Sequence, residues 1–294
     1  MPRSSLFSPR LWLLAALLPL AAFGIRFASA ADPAAPPEKS AGKIAPVKAL
    51  LIVGGCCHDY DFQKRIIADG IEARAHIDFT VIHDGGSSTD AKIKLYEDPN
   101  WADQFDVIIH DECFANVKEQ AWMDRVLAPH KAGKPAVLLH CAMHCYRSGT
   151  DEWFRFCGIH STGHGPQLPI DIKHVDHDHE ITKGAADWTT INEELYNNIQ
   201  ILTGKAIASG VQIVPPKAKK GETLPPDAKA TETTSVVAWT NEYGPNKTKI
   251  FSTTIGHNTE TVADARYLDL VTRGILWTTG HINENGKALP GYGK

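Results

Sequence analysis

Four short segments carry most of the histidine, cysteine and acidic side chains that could do chemistry. They read "GGCCHDY" (Gly54–Tyr60), "IIHDECF" (Ile108–Phe114), "LLHCAMHC" (Leu138–Cys145) and "TTIGHNTE" (Thr253–Glu260). Imidazole, thiolate and carboxylate groups bind metals, attack as nucleophiles and transfer protons. Each segment follows an apolar run that we predict to be a β-strand. The four segments therefore indicate where a functional site is to be expected.

A metal centre is the first interpretation of these segments. His58, His140 and His257 lie on three different loops, with Glu112 and Glu194 as candidate neighbours. Three imidazoles that leave an open position suit a catalytic divalent cation, with Zn²⁺ as the best match. Such an ion would polarise a carbonyl or lower the pKa of a bound water. The alternative is that histidines at strand ends only form hydrogen bonds with loops.

The first half of the chain alternates strands with helices. The apolar runs at residues 46–55, 77–84, 105–111 and 135–140 predict strands. Helices are predicted at 61–75, 118–133 and 150–158. Continuous apolar strands between helices are typical of a parallel sheet that is covered on both faces. We therefore predict an α/β fold, a doubly wound and mostly parallel central sheet flanked by helices, in which ligands bind beyond the carboxyl ends of the strands.

The second half is less regular. Residues 167–174 and 198–210 are predicted as strands, and 234–244 with 247–256 as a hairpin. Residues 215–233 are polar and rich in proline, which indicates a surface insertion. A terminal amphipathic helix is predicted at 263–280, and no phosphate-binding or dinucleotide-binding motif is present.

The N-terminus indicates export. Arg3 and Arg10 precede the apolar run Leu11–Ile25, and Ala28–Ala30 form a small-residue cleavage site. We predict a signal peptide at 1–30, a disordered linker at 31–43, one domain at 44–282 and a C-terminal tail at 283–294. The mature protein would be periplasmic or secreted and free of the membrane, although a retained anchor is the alternative.

Charge and cysteine content limit the remaining possibilities. The formal net charge of -4 in 294 residues gives no basic surface for nucleic acid. The six cysteines lie in a chain large enough to fold without crosslinks, so we expect free buried thiols or one disulfide rather than three. Composition allows a homo-oligomer without predicting one.

The ordered segments resemble those of the trehalose-utilisation (ThuA-like) family, whose fold resembles class I glutamine amidotransferases and flavodoxin. The resemblance rests on the first and fourth strand loops, "VDHDHEITKG" (Val175–Gly184), "EELYN" (Glu193–Asn197) and Thr253–Gly280. The family's residues fall on His58, His140, His179, Glu194, Tyr196 and His257. The sequence departs from the family where His179 is followed by Glu180 instead of proline, and where Glu193 replaces aspartate.

The resemblance implies carbohydrate metabolism, with a keto-sugar or glycoside as the small-molecule substrate. It would make the protein a hydrolase, lyase or isomerase. We expect catalytic roles for His140, His257 and Glu194. Substrate-binding roles are expected for five further residues: His58, Asp59, Glu112, His179 and Tyr196.

Two alternatives to this enzyme are open. Class I amidotransferases carry a nucleophilic cysteine after a strand, which Cys141 would match, but the flanking glycines are absent and the pair His257 and Glu260 has a different spacing. A non-catalytic sugar-binding module is the second alternative, because aromatic side chains can stack on sugar faces. We expect Cys141 to be a packed thiol and His140 to be the functional residue of its segment.

Overall fold

The computed structural model describes residues 44–218 and 220–294. The predicted signal peptide (1–30) and linker (31–43) lie outside the described residues. In the part of the chain that is described, no helix is long and apolar enough to span a membrane.

Strands and helices alternate up to residue 157, and strands dominate the following hundred residues. The strands are β1 (Val47–Gly55), β2 (Ile77–His83), β3 (Val107–Cys113), β4 (Ala136–Leu139), β5 (Ile159–His160), β6 (His164–His174), β7 (Trp188–Tyr196), β8 (Gln200–Ile201), β9 (Lys205–Val214), β10 (Thr231–Tyr243) and β11 (Thr248–Thr253). The helices are α1 (Tyr60–Glu72), α2 (Gln120–Lys131), α3 (Glu152–Cys157), α4 (Thr259–Val262) and α5 (Ala265–Thr278), with short 3-10 helices at Lys94–Glu97 and His140–His144.

Nine of these strands form one mixed sheet in the order β2-β1-β3-β4-β11-β10-β9-β6-β7. The pairs from β2 to β11 are parallel, and the pairs from β11 to β7 are antiparallel. The sheet is therefore half parallel and half antiparallel rather than mostly parallel, and the hairpin predicted at 234–244 and 247–256 is present as β10 and β11. Parallel neighbours need long crossover connections, whereas short turns such as that between β10 and β11 allow only antiparallel pairing.

Helices cover both faces of the parallel half. On one face, Ile67 and Ile71 of α1 pack with Val271 of α5 against the sheet. On the other face, Leu127 of α2 and Phe156 of α3 lie in a second apolar cluster. The observed architecture is thus an α/β fold with a large mixed sheet flanked by helices.

Four regions differ from the predicted organisation. The segment that contains Glu193 and Glu194 is a strand, β7, which the sequence pattern did not predict. The strand predicted at 198–210 is divided into β8 and β9, and residues 231–233 of the predicted insertion belong to β10. The C-terminal residues pack on the domain, because Gly293 forms a bridge with Ala75 and Tyr292 contacts the first apolar cluster.

Candidate active site

A cavity of about 450 Å³ opens at the carboxyl edge of the parallel strands. Loops after β1, β4 and β11 meet the hairpin β6–β7 there. The cavity wall includes His58, Cys113, Cys141, Glu194, Tyr196 and His257. Its volume lies in the range of small-molecule sites in proteins.

Three histidines from three separate loops converge at this cavity. The ring centroid of His58 lies 4.7 Å from that of His140 and 4.8 Å from that of His257. The His140 and His257 centroids are 5.5 Å apart. One nitrogen of each ring can be chosen so that the three atoms all lie within 4.8 Å of one another. The described residues therefore place the three predicted metal ligands together.

The loop after β1 positions His58. Gly55 has a φ of +97°, and a Cβ at that position would lie 2.5 Å from the carbonyl oxygen of Cys113. Glycine thus lets the loop pass close to β3. His58 Nε2 lies 3.1 Å from Cys141 Sγ, and its Nδ1 lies 3.4 Å from the carbonyl oxygen of His257. Burial, with His140 and His257 nearby, lowers the pKa of His58 to about 3, so this imidazole is neutral at physiological pH.

His140 lies directly after β4 in a conformation uncommon for a residue other than glycine. Its φ is +42°. Its Nδ1 lies 2.6 Å from the carbonyl oxygen of Thr254, which can only accept a hydrogen bond. Nδ1 therefore carries a proton. Nε2 lies 3.1 Å from the hydroxyl of Tyr196. These two contacts fix the orientation of the ring.

Glu194 connects the histidines. Its Oε2 lies 3.2 Å from His257 Nδ1 and 3.5 Å from Nε2 of both His140 and His164. Its Oε1 accepts a hydrogen bond from the amide of Gln167. Burial acts to raise the pKa of Glu194, but the hydrogen bonds from His140 and His257 outweigh it and hold the pKa well below its usual range. The hydrogen bond between Glu194 and His257 in turn raises the pKa of His257.

Glu193, the neighbour of Glu194, holds the loop that carries His257. Its buried carboxylate accepts hydrogen bonds from the backbone N–H groups of His257 (3.1 Å) and Asn258 (3.0 Å). Two adjacent acidic residues on β7 thus serve the same site. From the sequence, Glu193 was only a departure from the family pattern. The two adjacent glutamates were the signal that could have indicated its role.

His144 forms a further part of the cavity wall, next to Tyr196. The ring of His144 stacks on Tyr196 with centroids 4.1 Å apart, and its Nε2 lies 3.0 Å from the hydroxyl of Ser161. Burial lowers the pKa of His144 to about 3. Arg147 holds the loop by donating to the carbonyl oxygens of His144 and Thr162. Because all these residues line the cavity or support its wall, they extend the predicted site.

The cysteines divide into two groups. Cys56 and Cys57 form a disulfide, the single bridge among the described residues, and the other four cysteines are free. Cys141 is 7 % exposed, and its contact with Cys113 together with burial raises the pKa of its thiol. A raised pKa disfavours the thiolate that the amidotransferase-like alternative requires.

Three residues predicted to bind substrate do not line the cavity. The carboxylate of Glu112 is fully buried on the opposite side of β3 from Cys113, next to His110, which corrects its expected role. His179 lies against Trp277. Asp59 is exposed, and its side chain accepts from the backbone of Phe62 at the start of α1. Its position is thus that of a helix cap.

The chain is similar to known proteins both in sequence family and in fold. The family model for ThuA, described as trehalose utilisation, matches residues 59–278. No curated protein gives a significant match. The fold is similar to that of a ThuA-like protein from Parabacteroides merdae, with a TM-score of 0.57 and 18 % identity over 80 % of this chain and 90 % of that one. A ThuA-like protein from Bacteroides uniformis has a TM-score of 0.54 and 16 % identity, over 83 % and 95 % of the two chains.

Proposed function

Because the chain belongs to the ThuA family, described as trehalose utilisation, we propose that it is an enzyme that acts on keto-sugars or glycosides. The observation that carries the proposal is that Glu194, His58 and His257 line a cavity of about 450 Å³, with the buried imidazole of His140 3.5 Å from Glu194. Hydrolysis, elimination and isomerisation of sugars all need proton transfer beside an oxygen atom, and such groups supply it. That the fold resembles class I glutamine amidotransferases in particular is part of the same proposal.

The cavity wall suits a carbohydrate. Glu194, His164 and Arg147 offer charged or polar atoms to hydroxyl groups, and the stacked rings of His144 and Tyr196 offer a flat surface. Sugars present both hydroxyl groups and apolar ring faces, so a site for them combines polar and aromatic side chains. Neither a large apolar pocket nor a strongly basic one would match this ligand class.

The histidines also fit a divalent cation. His58 and His140 each have Nδ1 directed at a backbone carbonyl oxygen, so Nε2 is the atom that would coordinate, in place of its present contact with Cys141 or Tyr196. The three ligand atoms lie within 4.8 Å of one another, and ligands of a tetrahedral Zn²⁺ ion stand about 3.3 Å apart, so small side-chain rotations suffice. When bound, such an ion would supply Lewis-acid polarisation of a substrate oxygen.

Glu194 and His257 are proposed to act together in proton transfer. The pKa of Glu194 is held low, so its carboxylate stays ionised and is a weak base; it raises the pKa of His257 and orients that imidazole, which exchanges the proton with substrate or water. Gln167 contacts both Glu194 and His257 and fixes their relative orientation. The hydroxyl of Tyr196 contacts His140 Nε2 and holds the orientation of that ring.

The test uses purified protein and a panel of disaccharides, with trehalose and keto derivatives included, and follows products by NMR. The wild type should form product, and His140→Ala and His257→Ala should each lower kcat/KM by at least about a hundredfold. His83→Ala, at an exposed position outside the cavity, is the matched control and should retain activity. Saturable sugar binding without turnover would contradict the enzyme proposal and support a non-catalytic sugar-binding module.

Metal binding is tested separately. Elemental analysis and Zn²⁺ calorimetry should give one site in the wild type and in His83→Ala. Loss of one imidazole should weaken Zn²⁺ binding in His140→Ala by about ten- to a hundredfold or more. Equal Zn²⁺ affinity in all three proteins would exclude this triad as the metal site.

Export is part of the proposal as well. The signal-like N-terminus, which lies outside the described residues, supports it. N-terminal sequencing of protein from the periplasm or the medium should begin near Ala31. Recovery of soluble protein that starts at Met1 would contradict export.

A further inference from the structure

Three adjacent strand ends each bring a cysteine to the cavity wall. Cys56 follows β1, Cys113 ends β3 and Cys141 follows β4, and β3 lies between β1 and β4 in the sheet. The parallel register pairs Gly55 with Cys113, so the sulfur atoms start from neighbouring positions. Neighbouring strands are separated by only about 4.8 Å, and short side chains at their ends can therefore touch.

The four sulfur atoms form a continuous row. Cys57 is bonded to Cys56, whose Sγ lies 3.8 Å from that of Cys113. The Sγ atoms of Cys113 and Cys141 are 2.8 Å apart. A disulfide and two thiols thus lie in van der Waals contact, and the disulfide end at Cys57 is exposed.

We infer that Cys56, Cys57, Cys113 and Cys141 form a thiol–disulfide exchange site in which the disulfide moves between Cys56–Cys57 and Cys113–Cys141. Exchange requires a thiolate in contact with a disulfide sulfur. Cys113 has this contact with Cys56 in the starting form, and Cys141 has it with Cys113 after the first step. The inference goes beyond the proposed function and does not depend on it.

The exchange is balanced within the protein. In the first step the Cys113 thiolate attacks Sγ of Cys56, the Cys56–Cys57 bond breaks, and Cys57 leaves as a thiolate that takes up the proton lost from Cys113. In the second step the Cys141 thiolate attacks Sγ of Cys113, and Cys56 leaves and is protonated in turn. One disulfide and two thiols are present before and after, so the exchange needs no external oxidant or reductant.

The surroundings of Cys113 favour the first step. Its contact with Cys141 lowers the pKa of Cys113, against the effect of burial, and Arg147 acts in the same direction. The two remaining cysteines lack these features. Cys145 and Cys157 are fully buried, and Cys145 contacts the carbonyl oxygen of Glu112 rather than another sulfur atom.

Exchange would reach the histidine cluster through Cys141. In the starting form the Cys141 thiol lies 3.1 Å from His58 Nε2. After exchange Cys141 has no thiol proton, and its sulfur is bonded to Cys113. The location of the disulfide thus determines which group faces His58 from the cavity wall.

The test maps disulfides in the full protein. Reduced protein receives one equivalent of oxidised glutathione without oxygen, samples are quenched in acid and alkylated at intervals, and peptides are analysed by mass spectrometry. We expect Cys56–Cys57 to appear first. Cys113-containing disulfides should then increase as Cys56–Cys57 decreases, with four alkylated cysteines per chain once the first disulfide has formed. Cys113 that stays fully alkylated at every interval would overturn the inference.

Variants locate the steps. Cys141→Ala should stop the exchange at Cys56–Cys113, and Cys113→Ala should retain Cys56–Cys57 alone. Cys157→Ala, which alters a buried thiol outside the row, is the control and should behave as the wild type. A Cys141-containing disulfide in Cys113→Ala would also contradict the proposed order, because Cys141 would then reach Cys56 or Cys57 directly.

Discussion

Two clusters among the described residues each consist of histidines around a glutamate, and the two clusters differ in their access to solvent. The first, around Glu194, faces a cavity. The second lies inside the apolar layer formed with α2 and α3. There Glu112 Oε1 is 2.9 Å from His110 Nδ1 and accepts from the hydroxyls of Tyr96 and Tyr146, while His110 Nε2 lies 3.1 Å from His130. We call these the cavity cluster and the buried cluster.

The comparison shows that residue type does not distinguish a functional cluster from a structural one. Glu112 and Glu194 both lie within reach of histidine and tyrosine side chains. Glu112 and His110 are completely buried, so no substrate can reach them. Glu194 contacts His257, whose side chain is 16 % exposed. Access to a cavity therefore separates a group that can act on a ligand from one that only stabilises the fold.

The largest expected effect is on activity and follows from Glu194→Gln. The amide keeps the shape of the carboxylate but lacks the negative charge that raises the pKa of His257 and orients its ring, so kcat/KM for the keto-sugar substrate should fall by about a thousandfold. The free energy of unfolding should change by only about 1 kcal/mol, because water can reach the cluster. Steady-state kinetics and urea unfolding measure the two quantities.

Glu112→Gln makes the same chemical change in the buried cluster and should have the reverse effect. Removing one partner of a buried ionic contact should lower the free energy of unfolding by about 3 kcal/mol. The variant should keep kcat/KM within about twofold when assayed well below its melting temperature, since Glu112 does not line the cavity. A large loss of activity with unchanged stability would break the comparison.

A pH dependence of stability should accompany the buried cluster. Burial acts to raise the pKa of Glu112, but His110 and the surrounding hydrogen bonds outweigh it and lower the pKa. A lowered pKa stabilises the fold above the pKa of the unfolded chain, about 4.3, and this contribution is lost as the pH falls through the folded-state pKa. Urea unfolding between pH 7 and pH 3 should show a weaker acid dependence in Glu112→Gln than in the wild type. Parallel curves would contradict this assignment.

The smallest expected effect is that of Cys141→Ala. The thiol contacts His58 but has a raised pKa, so it serves as a neighbour of the site rather than as a nucleophile. Activity should fall by no more than about threefold, because a hydrogen bond from a thiol is weak. Complete inactivation, with labelling of Cys141 by a thiol reagent that substrate blocks, would support the cysteine-hydrolase alternative instead.

The sequence determined the parallel half of the fold and the place of the site. Apolar runs between helical segments predicted β1 to β4, α1 and α2, because strands buried on both faces must be apolar throughout. It also predicted that His58, His140 and His257 would meet, since the carboxyl ends of parallel strands lie at one edge. The antiparallel half was predicted only in part, because its strands are longer but partly exposed, and a mixture of exposed and buried residues gives a weaker apolar pattern.

Only the tertiary structure decided which acidic residues join the histidines. Side chains alternate along a strand, so Glu112 and Cys113 had to face opposite sides of β3, but the sequence does not state which side meets a cavity. Glu194 reaches His257 although β7 is the edge strand of the sheet. It lies six positions from β3, the strand that carries Glu112. Contacts between elements so distant in sequence and in the sheet depend on the twist and packing of the whole domain. No local pattern specifies these.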